Sequence, residues 1–255
     1  YKGILLKLGC SEDKIFIHRT GVDVERFQFT LRKSLPRPIR ILSIGRLVEK
    51  KGLLYAIKAV KQMVSTGVRV RYEIVGDGEL RDSLAALIKD LGMQESIFLI
   101  GEKSREDLSR ILQANDILLA PSITASNGDM ESAPIVIKEA MACGLAVVAT
   151  KHAGVPEMIQ DRVTGHLVEE RDFIALFERL RTLIKDDQRR SEMTQKARKS
   201  VERDWNQKKL MADLAHTLGK WKEGSSDIPR FPQRLPGTLW GITTFFNPAG
   251  DQEIK

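Results

Sequence analysis

Six short apolar runs recur along the chain, each followed by a turn and then by a stretch with helical spacing. "ILSI" lies inside "RPIRILSIGRL" at 37–47, and "LLYAIKAVKQMV" at 53–64 follows it. In that second stretch Leu54, Ile57, Val60 and Val64 recur every three or four residues, which predicts a helix. "VRYEIVGDG" predicts a second strand ending in a glycine turn, and "ELRDSLAALIKDLGM" a helix closed by Gly92. "SIFLIGE" gives a third strand. "SREDLSRILQAN" gives a third helix, with Ser104 as N-cap and Asp107 three residues on. "DILLAPS", "LAVVAT" and "GHLVE" are the remaining strands. "NGDMESAPIVIKEAMACG" at 127–144 and "GVPEMIQ" supply the helices between them. Long helices fill roughly 171–222.

Strands of four to six apolar residues that do not alternate belong to a parallel sheet covered on both faces. The expected fold is therefore α/β, a Rossmann-like doubly wound parallel six-stranded sheet with helices on both faces, spanning 37–222. Residues 1–36 read as a short helix, a strand at "KIFIHR" and a polar linker. Residues 223–255 open with the Pro/Gly/Ser linker "EGSSDIPRFPQRLPG". "TLWGITTFFNPAG" then reads as the start of a further segment, cut short, so the natural protein is expected to continue past Lys255.

Open α/β sheets bind ligands at the carboxyl ends of their strands. That directs attention to the loops at 45–52, 76–79, 101–105, 121–131 and 151–156. In the first, Gly45 permits a tight turn, and Arg46 and Lys51, with Lys50 beside them, suit either a diphosphate or simple solvation. G-x-G-x-x-G is absent here, which argues against NAD. Gly76 is part of a plain turn or of a backbone surface that a nucleobase can approach. Gly101, with the backbone at Glu102 and Lys103, is similar.

The 127–144 stretch holds two carboxylates eight positions apart, Glu131 and Glu139. Ser132 is expected to cap the helix and Pro134 to sit in its first turn, leaving free N–H groups for a phosphate. Glu139 falls inside a helix that should be buried, where an unpaired charge costs several kcal/mol. Either it accepts both hydroxyls of a ribose, or it pairs with a neighbouring Arg or Lys.

Composition narrows the partners. With 42% hydrophobic and 29% charged residues the chain is globular, and no apolar run reaches membrane-spanning length. Cys10 and Cys143 lie far apart, and His18, His152, His166 and His216 show no metal-ligand spacing. A reducing cytoplasm is expected. Net charge is +7, with nine Lys/Arg against five Asp/Glu between Lys185 and Lys209. That run is a solvated helix face or an attraction to an anionic membrane surface or a phosphorylated substrate. Nucleic acid is not expected, because the basic residues are not interleaved with stacking aromatics.

The E-x7-E pair in "ESAPIVIKEAMACGLAVVAT", with "GRLVEKKG" about 80 residues earlier, resembles the family-four retaining glycosyltransferases of the GT-B fold. "HRTGVDVERF" at 18–27 resembles their interdomain segment. "APSITASNGDMESAPIVIKEAMA" is similar to the colanic-acid and amylovoran type of exopolysaccharide enzyme. The resemblance covers roughly 1–222 and implies the donor-binding, C-terminal half of that fold. It implies that Arg46 and Lys51 hold the donor diphosphate, that Glu131 contacts the donor sugar and that Glu139 binds the ribose. It further places Ala133, Pro134 and Ile135 along phosphate and sugar, and Gly76, Glu102 and Lys103 near the base.

It also implies metal-independent transfer of a hexose from a UDP- or GDP-linked donor, without a cofactor. The acceptor, a saccharide or lipid-linked saccharide, would be held by an N-terminal domain outside this chain. The expected location is cytoplasmic, with peripheral contact at the inner face of the plasma membrane. A degenerate, non-catalytic nucleotide-sugar-binding module is the alternative, because Ser132 stands where the family usually has Gly. If the C-terminal helices pack on the absent half, Trp205 and Trp221 are exposed in this chain.

Overall fold

The computed structural model describes residues 2–224; of the linker and further segment expected at 223–255, the first two residues are the end of a helix instead, and the rest lies outside the described residues. Two units are distinguished by their internal contacts. In the described part of one, α1 (Lys2–Lys7) precedes a single 3-10 turn (Glu12–Lys14), and Lys2 pairs with Glu12 at 2.6 Å. The other, His18–Thr217, carries the sheet.

The sheet has six parallel strands: β1 (Ile39–Ile44), β2 (Val70–Val75), β3 (Ile97–Gly101), β4 (Ile117–Ala120), β5 (Ala146–Thr150) and β6 (His166–Val168). Their spatial order is β3-β2-β1-β4-β5-β6, the doubly wound order in which the direction of strand addition reverses between β1 and β4. Helices α2 (Leu53–Ser65), α3 (Arg81–Asp90) and α7 (Phe173–Lys185) contribute to the apolar core on one face, with Ile39, Ile41, Tyr72 and Ile74. Helices α4 (Arg105–Ala114), α5 (Ile135–Cys143), α6 (Val155–Met158) and α8 (Asp187–Asp204) contribute to the other, with Leu42, Val75, Leu118 and Val147. The last helix, α9, runs Gln207–Gly224. The expected sheet, its parallel sense and its two helical layers are all present.

Local signals account for several boundaries. The Ser104 side chain accepts the Asp107 N–H at the start of α4, and Gly92 takes the left-handed conformation (φ 67°) just past α3. In α2 the buried stripe is Leu53, Ala56, Ile57, Val60 and Met63. Leu54, assigned to that stripe from sequence, faces solvent instead.

Two further expectations are corrected. "KIFIHR" forms no strand; the segment that follows it makes a single backbone bridge, Val22 to Asn206. Trp205 is buried, with the Lys138 ammonium 4.6 Å from its ring centroid, while the Trp221 side chain lies outside the described residues.

The segment before β1 is fastened by arginines. Arg32 donates to the carbonyls of Leu112, Gln113 and Cys143, and Arg198 to those of Val24, Phe27 and Ala142. The last-turn carbonyls of α4 and α5 are thereby satisfied by cations, which the helix dipoles favour.

Candidate functional site

At the carboxyl edge of the sheet, the loops after β1, β2 and β3 are joined through their backbones. Gly45 N–H donates to Val75 O, Leu47 N–H to Asp77 O, and Gly76 N–H to Gly101 O, at 2.8–2.9 Å. Gly76 has φ 137°, and a Cβ there would lie 2.0 Å from the Gly45 carbonyl oxygen. Its hydrogen atom is what lets the two loops meet. At Gly45 (φ 151°) a Cβ would lie 2.7 Å from the Lys51 side chain, so this glycine leaves room for the lysine to fold over the strand end.

Lys51 reaches across the switch point to Glu131, Nζ to Oε1 2.5 Å, and Ser122 Oγ donates to the other oxygen at 3.2 Å. A small cavity lined by Gly45, Lys51, Ser122, Glu131 and Pro134 lies there. Three of the sequence-assigned residues, Gly45, Lys51 and Glu131, thus converge on one spot. Arg46, next to them in sequence, is exposed, and its side chain makes no hydrogen bond or ion pair to a described residue. Its charge, after the Lys50 ion pair and hydrogen bond, helps hold Asp129 below the usual carboxylate range.

The loop 121–134 that carries Glu131 is held from two sides. On the β1 side, Ser126 N–H and hydroxyl donate to Glu49, Lys50 pairs with Asp129 at 2.9 Å, and Lys51 pairs with Glu131. On the other side stands His152, 1% exposed, in the loop after β5. Its Nε2 accepts the Glu131 backbone N–H at 3.0 Å, so the ring proton is on Nδ1, which donates to Glu170 at 2.6 Å. Glu170 in turn accepts the Thr124 N–H at 2.8 Å. Burial raises the Glu170 pKa, but the hydrogen bonds from His152 and Thr124 outweigh it and hold this carboxyl below its usual range.

Helix α5 begins later than its sequence suggests. Pro134 (φ −61°, ψ 113°) occupies the N-cap position, not the first turn, and Ser132 does not cap the helix. The Ser132 carbonyl instead accepts the Gly154 N–H at 2.9 Å, and Pro134 is extended. The N–H groups of Ala133, Ile135 and Val136 find no acceptor among the described residues, so the helix start still presents donors and a positive dipole end.

Glu139, on the fifth residue of α5, is 8% exposed. It forms no ion pair and accepts no hydrogen bond from a described residue. Lys138 beside it turns away, donating to the Thr20 carbonyl at 2.6 Å and stacking on Trp205. Burial raises the Glu139 pKa, and the charges of Arg105, Arg26 and Lys138 only partly offset it. The alternative of a salt-bridged Glu139 is therefore not what the fold adopts. Glu102 and Lys103 are exposed on the β3–α4 loop and make no hydrogen bonds to the other site residues.

The sequence reading missed His152–Glu170 as a pair, the Lys51–Glu131 ion pair, and Arg26 and Arg105 near Glu139. The first two join positions 18 and 80 residues apart. Their signal was only that a basic side chain and a carboxylate follow neighbouring strands.

Comparisons with known proteins give the family. Residues 26–200 match the family model described as glycosyl transferases group 1. The amylovoran biosynthesis glycosyltransferase of Erwinia amylovora is 40% identical over 84% of this chain and 53% of its own length. A protein of Escherichia coli (strain K12) named for colanic acid biosynthesis is 38% identical over 86% of this chain and 54% of its own. The chain thus spans about half the length of these relatives. The Anabaena protein HepE, solved with UDP-glucose, shares the fold at a TM-score of 0.74 and 22% identity, over 86% of this chain and 61% of that one. The chain belongs to the glycosyl transferases group 1 family.

Proposed function

We propose that residues 37–222 bind the nucleotide-sugar donor of a retaining hexosyltransferase that builds a cell-surface polysaccharide. The observation that carries this reading is Glu139: a carboxylate buried without a donor, on a helix whose first amides are unused, beside the sheet's switch point. Such a group suits two vicinal hydroxyls, each of which can donate to one carboxylate oxygen.

In this reading the diphosphate lies between the start of α5 and the cations Arg46 and Lys51. Lys51 has three donors, so it can keep Glu131 and still donate to a phosphate oxygen. Leaving-group charge is then stabilised by Arg46, Lys51 and the helix dipole, with no metal required. Glu131 orients the sugar and does not form a covalent adduct, and transfer occurs from the front face with retention. Gly76, Glu102 and Lys103 line the side on which the base would sit. The acceptor, a saccharide or a lipid-linked saccharide, would be bound by a domain outside this chain. This piece alone would then bind nucleotide and transfer little, because orientation of the acceptor is absent. The enzyme would work in the cytoplasm against the inner membrane face; no described helix is long and apolar enough to cross a membrane.

Calorimetric titration of UDP and of GDP tests the reading. One of the two is expected to bind, with Kd of about 10–100 μM, and binding is expected to vanish in Glu139→Ala. Failure of both to bind the folded wild-type chain and a full-length version would end the donor-domain reading, whereas binding without turnover of a nucleotide sugar by a full-length version would favour the degenerate module.

A further inference from the structure

The loop after β6 has no part in the donor site as read so far, yet it is tied into that site through one imidazole. His152 is almost wholly buried, and both of its nitrogens are committed: Nε2 to the Glu131 N–H, Nδ1 to Glu170. Glu170 also takes the Thr124 N–H, and Arg171 donates to the Thr124 carbonyl. The Glu131 loop is therefore gripped near both ends, at Thr124 and at Glu131, by one histidine–carboxylate pair. An imidazole whose tautomer is fixed by a carboxylate is a directional acceptor: it can hold the Glu131 amide in one orientation only.

We propose that His152, fixed by Glu170, is a positioning residue that sets the Glu131 carboxylate for the donor sugar. The inference rests on the donor-site reading for its ligand but not for its geometry. No hydrogen bond among the described residues links Glu139 or the first residues of α5 to His152 or Glu170. Loss of the clamp should consequently weaken sugar recognition more than nucleotide recognition.

The test uses the full chain, His152→Phe, which keeps the ring and removes both hydrogen bonds, and the milder Glu170→Gln. First, Kd is measured for two pairs, UDP with UDP-glucose and GDP with GDP-mannose. For the pair that the wild type binds, His152→Phe should weaken the nucleotide sugar about tenfold and the diphosphate by less than about threefold. Glu170→Gln should shift the same ratio in the same direction by less. Equal losses for both ligands, or no change in either, would overturn the proposal, since a general structural defect does not separate them.

Second, nitrogen-15 NMR without ligand should show the Nδ1–H tautomer in the wild type and Glu131 amide exchange at least about tenfold faster in His152→Phe. An unchanged exchange rate would overturn the proposal. If wild type binds neither nucleotide, the donor-site reading fails, and the exchange measurement alone decides the positioning claim.

Discussion

Glu139→Gln is expected to make the ligand-free protein more stable at neutral pH while weakening nucleotide binding about a hundredfold. Burial raises the Glu139 pKa above its ordinary 4.5, so the folded state holds this proton more tightly than the unfolded chain does. As pH rises through the unfolded value, the unfolded state loses its proton first and gains relative stability. The folded state therefore loses stability across a window that opens near the unfolded pKa and closes at the raised one. Glutamine never ionises and escapes this penalty.

The variant should thus gain stability at pH 7–8, seen as a rise in Tm. The gain should disappear below about pH 4.5, where both side chains are neutral. Thermal unfolding of both proteins from pH 4 to 8 checks it; a destabilised variant at pH 8 would mean that Glu139 has a partner in the fold. The binding loss has the opposite sign. Two hydrogen bonds to a charged acceptor are together worth about 3 kcal/mol, or roughly a hundredfold in Kd. A residue whose removal stabilises the fold and weakens binding is the pattern of a group kept for its ligand.

Gly76→Ala should cost about 3–5 kcal/mol of stability. The added Cβ would lie 2.0 Å from the Gly45 carbonyl oxygen and 2.8 Å from its carbon. Neither backbone can yield easily, because Gly76 N–H is bonded to Gly101 O and Gly45 N–H to Val75 O. The φ of 137° adds a conformational cost of its own. Gly67 gives the control: its φ is also positive, at 82°, but no atom lies within 4 Å of its Cβ position. Gly67→Ala should therefore cost only about 1 kcal/mol. Urea denaturation of the two variants separates collision from backbone strain, and similar losses in both would show that the collision at Gly76 is relieved by movement of the loops.

The parts of this molecule that were readable in its sequence are those set by local rules. Continuous apolar runs between helical stretches can only be buried strands, and the Ser104–Asp107 cap and Gly92 mark helix ends from within one turn. Leu54 was misplaced by one position because Leu53, at the left-handed Gly52 turn, takes the inward direction. Helix α5 begins later than its local signals suggest because the Ser132 carbonyl is taken by Gly154, 22 positions away. The Glu131–His152–Glu170 chain was invisible for the same reason: three loops supply it, and no periodicity links them. Arg46 shows the limit from the other side: its motif names it, and the fold leaves its guanidinium with no hydrogen-bond partner among the described residues.

The central claim is that Glu139 stays charged and unpaired in the fold in order to hold a ribose. The measurement that meets it most directly is a cycle of two ligands and two proteins: the nucleoside diphosphate that binds, its 2′-deoxy counterpart, the wild type and Glu139→Gln. The wild type should lose about tenfold in affinity when the 2′-hydroxyl is removed. The variant, already weak, should discriminate between the two by less than about twofold. If Glu139→Gln instead binds the ribonucleotide as tightly as the wild type, or keeps the same preference for the hydroxyl, the carboxylate does not hold the ribose and the account is wrong at its centre.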